Sequence, residues 1–191
     1  MEYLVFNISW MTFNVLLALV PVIFTMILDK KTDQLIRVPL LILWLLFLPN
    51  TIYLLTDIQH IIPQLFLVDQ TGKVVLFAQY ATIIFVGILT YMYSLKPFEL
   101  LLNSLKIVPT KKKYWYIILN LILGFAVVLG KVQRTHSWYV FTDPLRVATD
   151  IINTLTSPQL MVLTILFGAI FSVIYFPLRK LFTSPIKRKK K

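Results

Sequence analysis

"PLLILWLLFLPNTIYLLTDIQH", residues 39–60, decides how the chain is read. Its first half is almost wholly leucine and isoleucine, the composition of a helix running through lipid. Its second half keeps the leucines and adds Pro49, Asn50, Tyr53, Asp57 and His60. On a helix with 3.6 residues per turn, those last four fall within one arc of about 80°. A span with an apolar perimeter and one polar stripe turns the stripe toward a bundle interior or a water-filled cavity. Measured from Pro39, Asn50 lies about 16 Å along the axis and Asp57 about 27 Å, in hydrocarbon about 30 Å thick. Pro49 leaves a carbonyl one turn earlier without its helical donor, and Asn50 is placed to serve it. Pro63 is expected to end the helix.

Working outward, the whole chain repeats this character. Of 191 residues, 58% are hydrophobic, with a mean hydropathy of +0.80, against about 45–50% apolar in soluble domains. The excess falls in five blocks, residues 3–28, 39–62, 74–94, 114–130 and 159–178, each near the roughly 20 residues that cross a bilayer. The first block lacks a basic leading segment and a small-residue cleavage site, so it reads as a retained span. These features predict an all-α polytopic membrane protein, a bundle of about five transmembrane helices in one integral membrane domain, 1–191. With no cysteine, disulfides, thiolate metal sites and thiol nucleophiles are excluded. No internal repeat is present.

Charge orients the spans. The segments after blocks 1, 3 and 5 hold 15 of the 19 Lys and Arg residues. By the positive-inside rule the N-terminus lies outside and the C-terminus in the cytoplasm of a cell-membrane protein. The net charge of +11 is therefore topological. The basic tail 179–191 reads as an anchor attracted to anionic lipid, at about 1 kcal/mol per cation. It lacks the interleaved aromatics of a nucleic-acid platform. Oligomeric state leaves no mark on the sequence.

A second polar concentration, "GKVQRTHSWYVFTDP" at 130–144, follows block 4. Asp143 reads as an N-cap and Pro144 as the first residue of a helix. Leu145, Ala148, Ile152 and Leu155 then recur at helical spacing, predicting a short amphipathic interfacial helix over 144–156. The alternation of spans brings Asp57 and His60 to the same outer level as Arg134, His136 and Asp143, where Asp57 and Arg134 are expected to pair.

"LPNTIYLLTD" (48–57), "GKVQRTHSW" (130–138) and "FNVLLALVP" (13–21) together resemble a bacterial integral membrane protein family, domain of unknown function 1361. Lys131, His136 and Tyr139 depart from that family's second segment. The resemblance implies a multi-span inner-membrane protein and no defined activity.

The residues admit three functional classes. One is a non-catalytic binding or accessory role in the envelope, with an outward-opening polar pocket. Its binding candidates are Asn50, Tyr53, Asp57, His60, Lys131, Arg134, Ser137 and Trp138, and its expected partners are the lipid bilayer and a phosphate-bearing lipid. The second is an enzyme acting on an envelope lipid, with Asp57, His60 and His136 as catalytic candidates. The third is an ion or small-solute transporter built on the polar stripe. Asp57 and His60 resemble one half of a di-iron ligand set, but the second half is missing, and no metal is expected. "GFAVVLGKV" (124–132) has the wrong spacing for a phosphate loop. No cofactor motif is present.

Overall fold

The computed structural model describes residues 2–28 and 32–183. Lys30, Lys31 and the run from Lys187 to Lys191, on which the charge argument partly rests, lie outside the described residues. Those described are mostly helical, with no strand among them. Five helical stretches are long and apolar enough to cross a membrane: Asn7–Ile27, Gln34–Leu65, Gln70–Ser104, Pro109–Gln133 and Pro158–Leu181. They form two compact units, residues 1–107 and 108–191.

Unit 1 contains α1 (Glu2–Ile27), α2 (Gln34–Phe47), α3 (Pro49–Thr56), α4 (Ile61–Leu65), α5 (Gln70–Ser94) and α6 (Lys96–Ser104). Asp33 caps α2 by accepting from the Leu35 N–H at 3.2 Å, and Asp69 caps α5 by accepting from the Gly72 N–H at 2.9 Å. Each side chain satisfies one of the donors that a helix start leaves open. The second span is three helical segments in line. At Pro49 the Thr51 N–H turns to Leu48 O, 3.1 Å, and the Asn50 amide donates to Phe47 O, 3.0 Å. Asn50 thus repairs the backbone next to the proline, although the carbonyl it serves is Phe47's.

Beyond Thr56 the winding tightens into a 3-10 turn, Asp57–His60, before α4 begins. Pro63 does not end the span, contrary to expectation, because α4 runs through it to Leu65. The restart at Ile61 puts Pro63 in a first helical turn, where an N–H has no intrahelical acceptor and its loss costs little.

α3 is the centre of unit 1, packed by α1 on one side and α5 on another. Thr51 and Leu54 are buried where α5 brings Gly87 close: a Cβ there would lie 2.9 Å from Leu54 Cβ and 3.2 Å from Thr51 O. Trp44 is buried nearby, its indole N–H donating to Ser94 O at 2.7 Å.

Unit 2 contains α7 (Pro109–Val128), a π turn (Leu129–Gln133), α8 (Tyr139–Thr142), α9 (Pro144–Thr156) and α10 (Pro158–Thr183). α7 and α10 pack along their length. The contact is set by Gly124 and Gly168. A Cβ on Gly124 would lie 2.5 Å from Thr164 O and 2.7 Å from Gly168 N, so only glycine lets the two backbones approach this closely. Asn120, fully buried, donates to Ser172 Oγ at 3.2 Å. Toward one end the Tyr116 and Tyr175 rings stack at 4.6 Å and the Arg179 guanidinium sits 4.7 Å from the Tyr116 ring.

The amphipathic helix read over 144–156 is α9, capped by Asp143, which accepts from the Arg146 N–H at 3.2 Å. Its Leu145, Ile152 and Leu155 are exposed while Thr154 is fully buried. Its apolar face is therefore turned away from the rest of unit 2, as an interfacial helix requires.

Candidate functional site

The polar stripe of the second span meets α1 at one end of unit 1. Asp57 is only 2% exposed, and its Oδ2 accepts from the Asn14 amide at 3.0 Å. About two helical turns along α1, Asn7 and Gln64 exchange a reciprocal amide pair, 2.6 and 3.1 Å. The Trp10 indole N–H donates to Asn7 Oδ1 at 3.0 Å, and Asn7 reaches Gln79 Oε1 on α5 at 3.4 Å. Tyr80 is buried against Trp10, ring centroids 6.4 Å apart. Its hydroxyl lies beside Gln64 without a hydrogen bond of good geometry.

Asn7, Trp10 and Asn14 recur at spacings of 3 and 4, so they form a polar arc on α1 that answers the arc on the second span. A buried amide needs partners for two donors and one acceptor, and the two arcs supply them to one another. Asn14 lies in the segment 13–21, but none of Asn7, Trp10, Gln64, Gln79 and Tyr80 belongs to a motif of the sequence. The 3–4 spacing on α1 was the signal available for Trp10.

The stripe is not uniformly enclosed. Asn50 and Tyr53 are half-buried, and His60 is exposed. His60 packs edge-on to Trp10 at 5.9 Å and lies 3.2 Å from the Gln59 amide nitrogen. The difference follows from packing. Helix α3 is covered on the α1 and α5 sides, so the arc is buried where it faces Asn14 and opens along its margin and toward its end.

Unit 2 places its polar segment on an unusual stretch of backbone. The π turn ends at Arg134, which takes a left-handed conformation, φ 56° and ψ 35°. The N–H groups of Arg134 and Thr135 both return to Leu129 O. A non-glycine residue there carries about 1–2 kcal/mol of strain, and π turns and left-handed residues recur at functional sites. The Arg134 side chain is exposed, with no ion-pair partner in its own unit among the described residues. Lys131, Ser137 and Trp138 are half-buried beside it in sequence.

His136 stacks on Trp138, centroids 4.5 Å apart and planes 6° apart, and meets Tyr139 edge-on at 5.1 Å. Its pKa is lowered, first by burial and second by the Arg146 charge. Arg146 lies over the Tyr139 ring at 4.7 Å and is 3.7 Å from Asp150. Asp150 in turn accepts from the Thr135 hydroxyl. This network ties the turn to α9. Asp143 is engaged as the α9 cap. Among the described residues no three His, Cys, Asp or Glu side chains come together as a metal site would require.

A family model described as "Protein of unknown function (DUF1361)" matches residues 13–174, which contain all but the Asn7 and Trp10 portion of these two clusters. The chain belongs to that family. No curated protein and no solved structure matches it.

Proposed function

We propose that the protein is a non-catalytic binding component of the cell envelope. It lies in the cell membrane with its N-terminus outside and its C-terminus in the cytoplasm, and it holds a phosphate-bearing lipid headgroup at Arg134. The observation that supports this most is the conformation of Arg134: an exposed side chain carried by a π turn on a strained left-handed backbone. An Arg fork pairs bidentately with phosphate. The neighbouring His136–Trp138 stack offers the flat amphipathic surface found at headgroup level.

The absence of native cysteine gives a direct test of orientation. Single cysteines at Gln70 and Gln133 react with an impermeant thiol reagent in intact cells, while cysteines at Asp33 and Lys112 do not. The opposite pattern moves the site to the cytoplasmic face and sinks the reading. Headgroup binding is read from lipids co-purifying with the protein. Arg134→Gln lowers the phospholipid retained by about tenfold, the loss of one charge-assisted contact; unchanged retention rejects Arg134 as the ligand.

A further inference from the structure

The cations of unit 2 are not spread evenly. Tyr116 with Tyr175, Asn120 with Ser172 and Gly124 with Gly168 pair in antiparallel register. That register carries Lys111, Lys112 and Lys113, at the start of α7, to the same end as Arg179 and Lys180, near the close of α10. The apolar stretches of both helices reach their limits there, at Pro109 and Leu181, so the five cations stand at a boundary between lipid and water. The two carboxylates of the unit, Asp143 and Asp150, belong to α9 and its cap, which pack by the π turn at the other end.

One group of rings orients two of these cations. Tyr116 and Tyr175, both buried, stack at 4.6 Å, and Phe176 meets Tyr175 edge-on at 5.2 Å. The Arg179 guanidinium lies 4.7 Å from the Tyr116 centroid and 5.9 Å from that of Tyr175. Lys113 Nζ lies 5.9 Å from the centroid of Phe176. A ring face orients a cation without cancelling its charge, and a guanidinium stacked on a ring still presents its N–H edge. Ion pairing within the chain cannot remove the charge either. The segments after blocks 1, 3 and 5 hold 15 Lys and Arg residues against three side-chain carboxylates, Asp29, Asp33 and Glu99. Were all three given to these five cations, positive charge would still remain. An apolar track starts beside them: Trp115, Ile118 and Ile122 recur at spacings of 3 and 4 along α7, and all are exposed.

We infer that this end of the α7–α10 pair binds an anionic phospholipid, its phosphate drawn to Arg179 and Lys113 and a chain laid along Trp115, Ile118 and Ile122. Basic sites between spanning helices take headgroups of net negative charge. A zwitterionic headgroup brings its own ammonium toward the surplus and gains less. A nucleic acid meets the charge but leaves the apolar track unused. The site lies at the opposite end of unit 2 from Arg134 and does not depend on the reading made there.

The full-length chain carrying Arg134→Gln, so that this site alone is read, is titrated in a non-ionic detergent with dioctanoyl phosphatidylglycerol and, separately, dioctanoyl phosphatidylcholine. Bound lipid is counted by native mass spectrometry. Phosphatidylglycerol fills one site about tenfold more tightly than phosphatidylcholine. Lys113→Gln, a change to an exposed side chain that leaves the ring stack in place, weakens phosphatidylglycerol by about fivefold. Adding Arg179→Gln removes the preference, while Lys189→Gln, Lys190→Gln and Lys191→Gln together leave it intact. Equal binding of the two lipids overturns the anionic site. A preference that survives Lys113→Gln with Arg179→Gln and disappears with the three tail lysines overturns it in favour of the basic tail. A single-stranded oligonucleotide that displaces phosphatidylglycerol at lower concentration overturns the lipid in favour of nucleic acid.

Discussion

The two units keep apolar helices together by different means. In unit 1 several polar contacts cross from helix to helix, Asn7 with Gln64 and Gln79, Asn14 with Asp57 and Trp44 with Ser94 O, beside an apolar cluster that includes Met11, Ala18, Leu54, Leu76 and Ile83. In unit 2 the tightest contact is steric. Gly124 and Gly168 bring α7 and α10 into backbone contact, and Asn120 with Ser172 adds one hydrogen bond. Lipid gives apolar helices no hydrophobic reason to associate, so packing and hydrogen bonds decide. A backbone contact tolerates no added atom, whereas an amide network can re-pair. Unit 2 is therefore the more brittle and unit 1 the more forgiving.

The sharpest way to break that comparison is Gly124→Val. Its Cβ meets backbone atoms that cannot turn aside, and the expected loss is on the order of 3 kcal/mol, the upper range for overpacking. Denaturation in detergent, followed by the fluorescence of Trp115 and Trp138, measures it. Wild-type stability in that variant would show that α7 and α10 do not depend on the glycine contact. Next is Asp57→Leu, which leaves the Asn14 amide without its acceptor. A cost of about 1–3 kcal/mol is expected for the stranded donor, and pairing Asp57→Leu with Asn14→Leu should recover part of it. No recovery would mean that the Asn14 contact contributes nothing. Asn50→Leu is milder, about 0.6 kcal/mol, because the Phe47 carbonyl it serves can bend toward another donor. A loss above 2 kcal/mol would make Asn50 part of the interhelical network.

The smallest effect expected is at His136. Its pKa is lowered by burial and by Arg146, so the folded protein holds the neutral ring more strongly than the unfolded chain does. The contribution is complete above the ordinary imidazole value of about 6.5 and is lost as pH falls below it through the lowered value. Imidazole shifts followed by NMR should give a midpoint below 6.5. Arg146→Gln should move that midpoint upward. A midpoint at or above the ordinary value contradicts the packing of His136 against Trp138.

Much of this was legible in the chain. The five spans follow from block length and composition, and α9 from Asp143, Pro144 and a four-residue apolar pattern. Pro49 and Asn50 announced a break and its repair. Pro63 misled, because whether a proline ends a helix depends on where the preceding turn has already restarted it. The arc of Asn50, Tyr53, Asp57 and His60 was visible as geometry, yet its burial was not, because burial depends on which neighbours cover the helix.

What the sequence determined by itself is therefore local: which segments are apolar enough to span, where backbone donors are missing, and which polar residues share a helix face. Each rests on a period of 3.6 residues or a length near 20, read along one strand of chain. Only the tertiary structure decided that Asn14 is a partner of Asp57, that Gly124 meets Gly168, and that Arg179 comes to lie over Tyr116. Those residues stand 43, 44 and 63 positions apart. Their meeting is set by how helices rotate and slide against one another, a choice made by the fit of side chains across the interface, which no spacing within a single helix encodes.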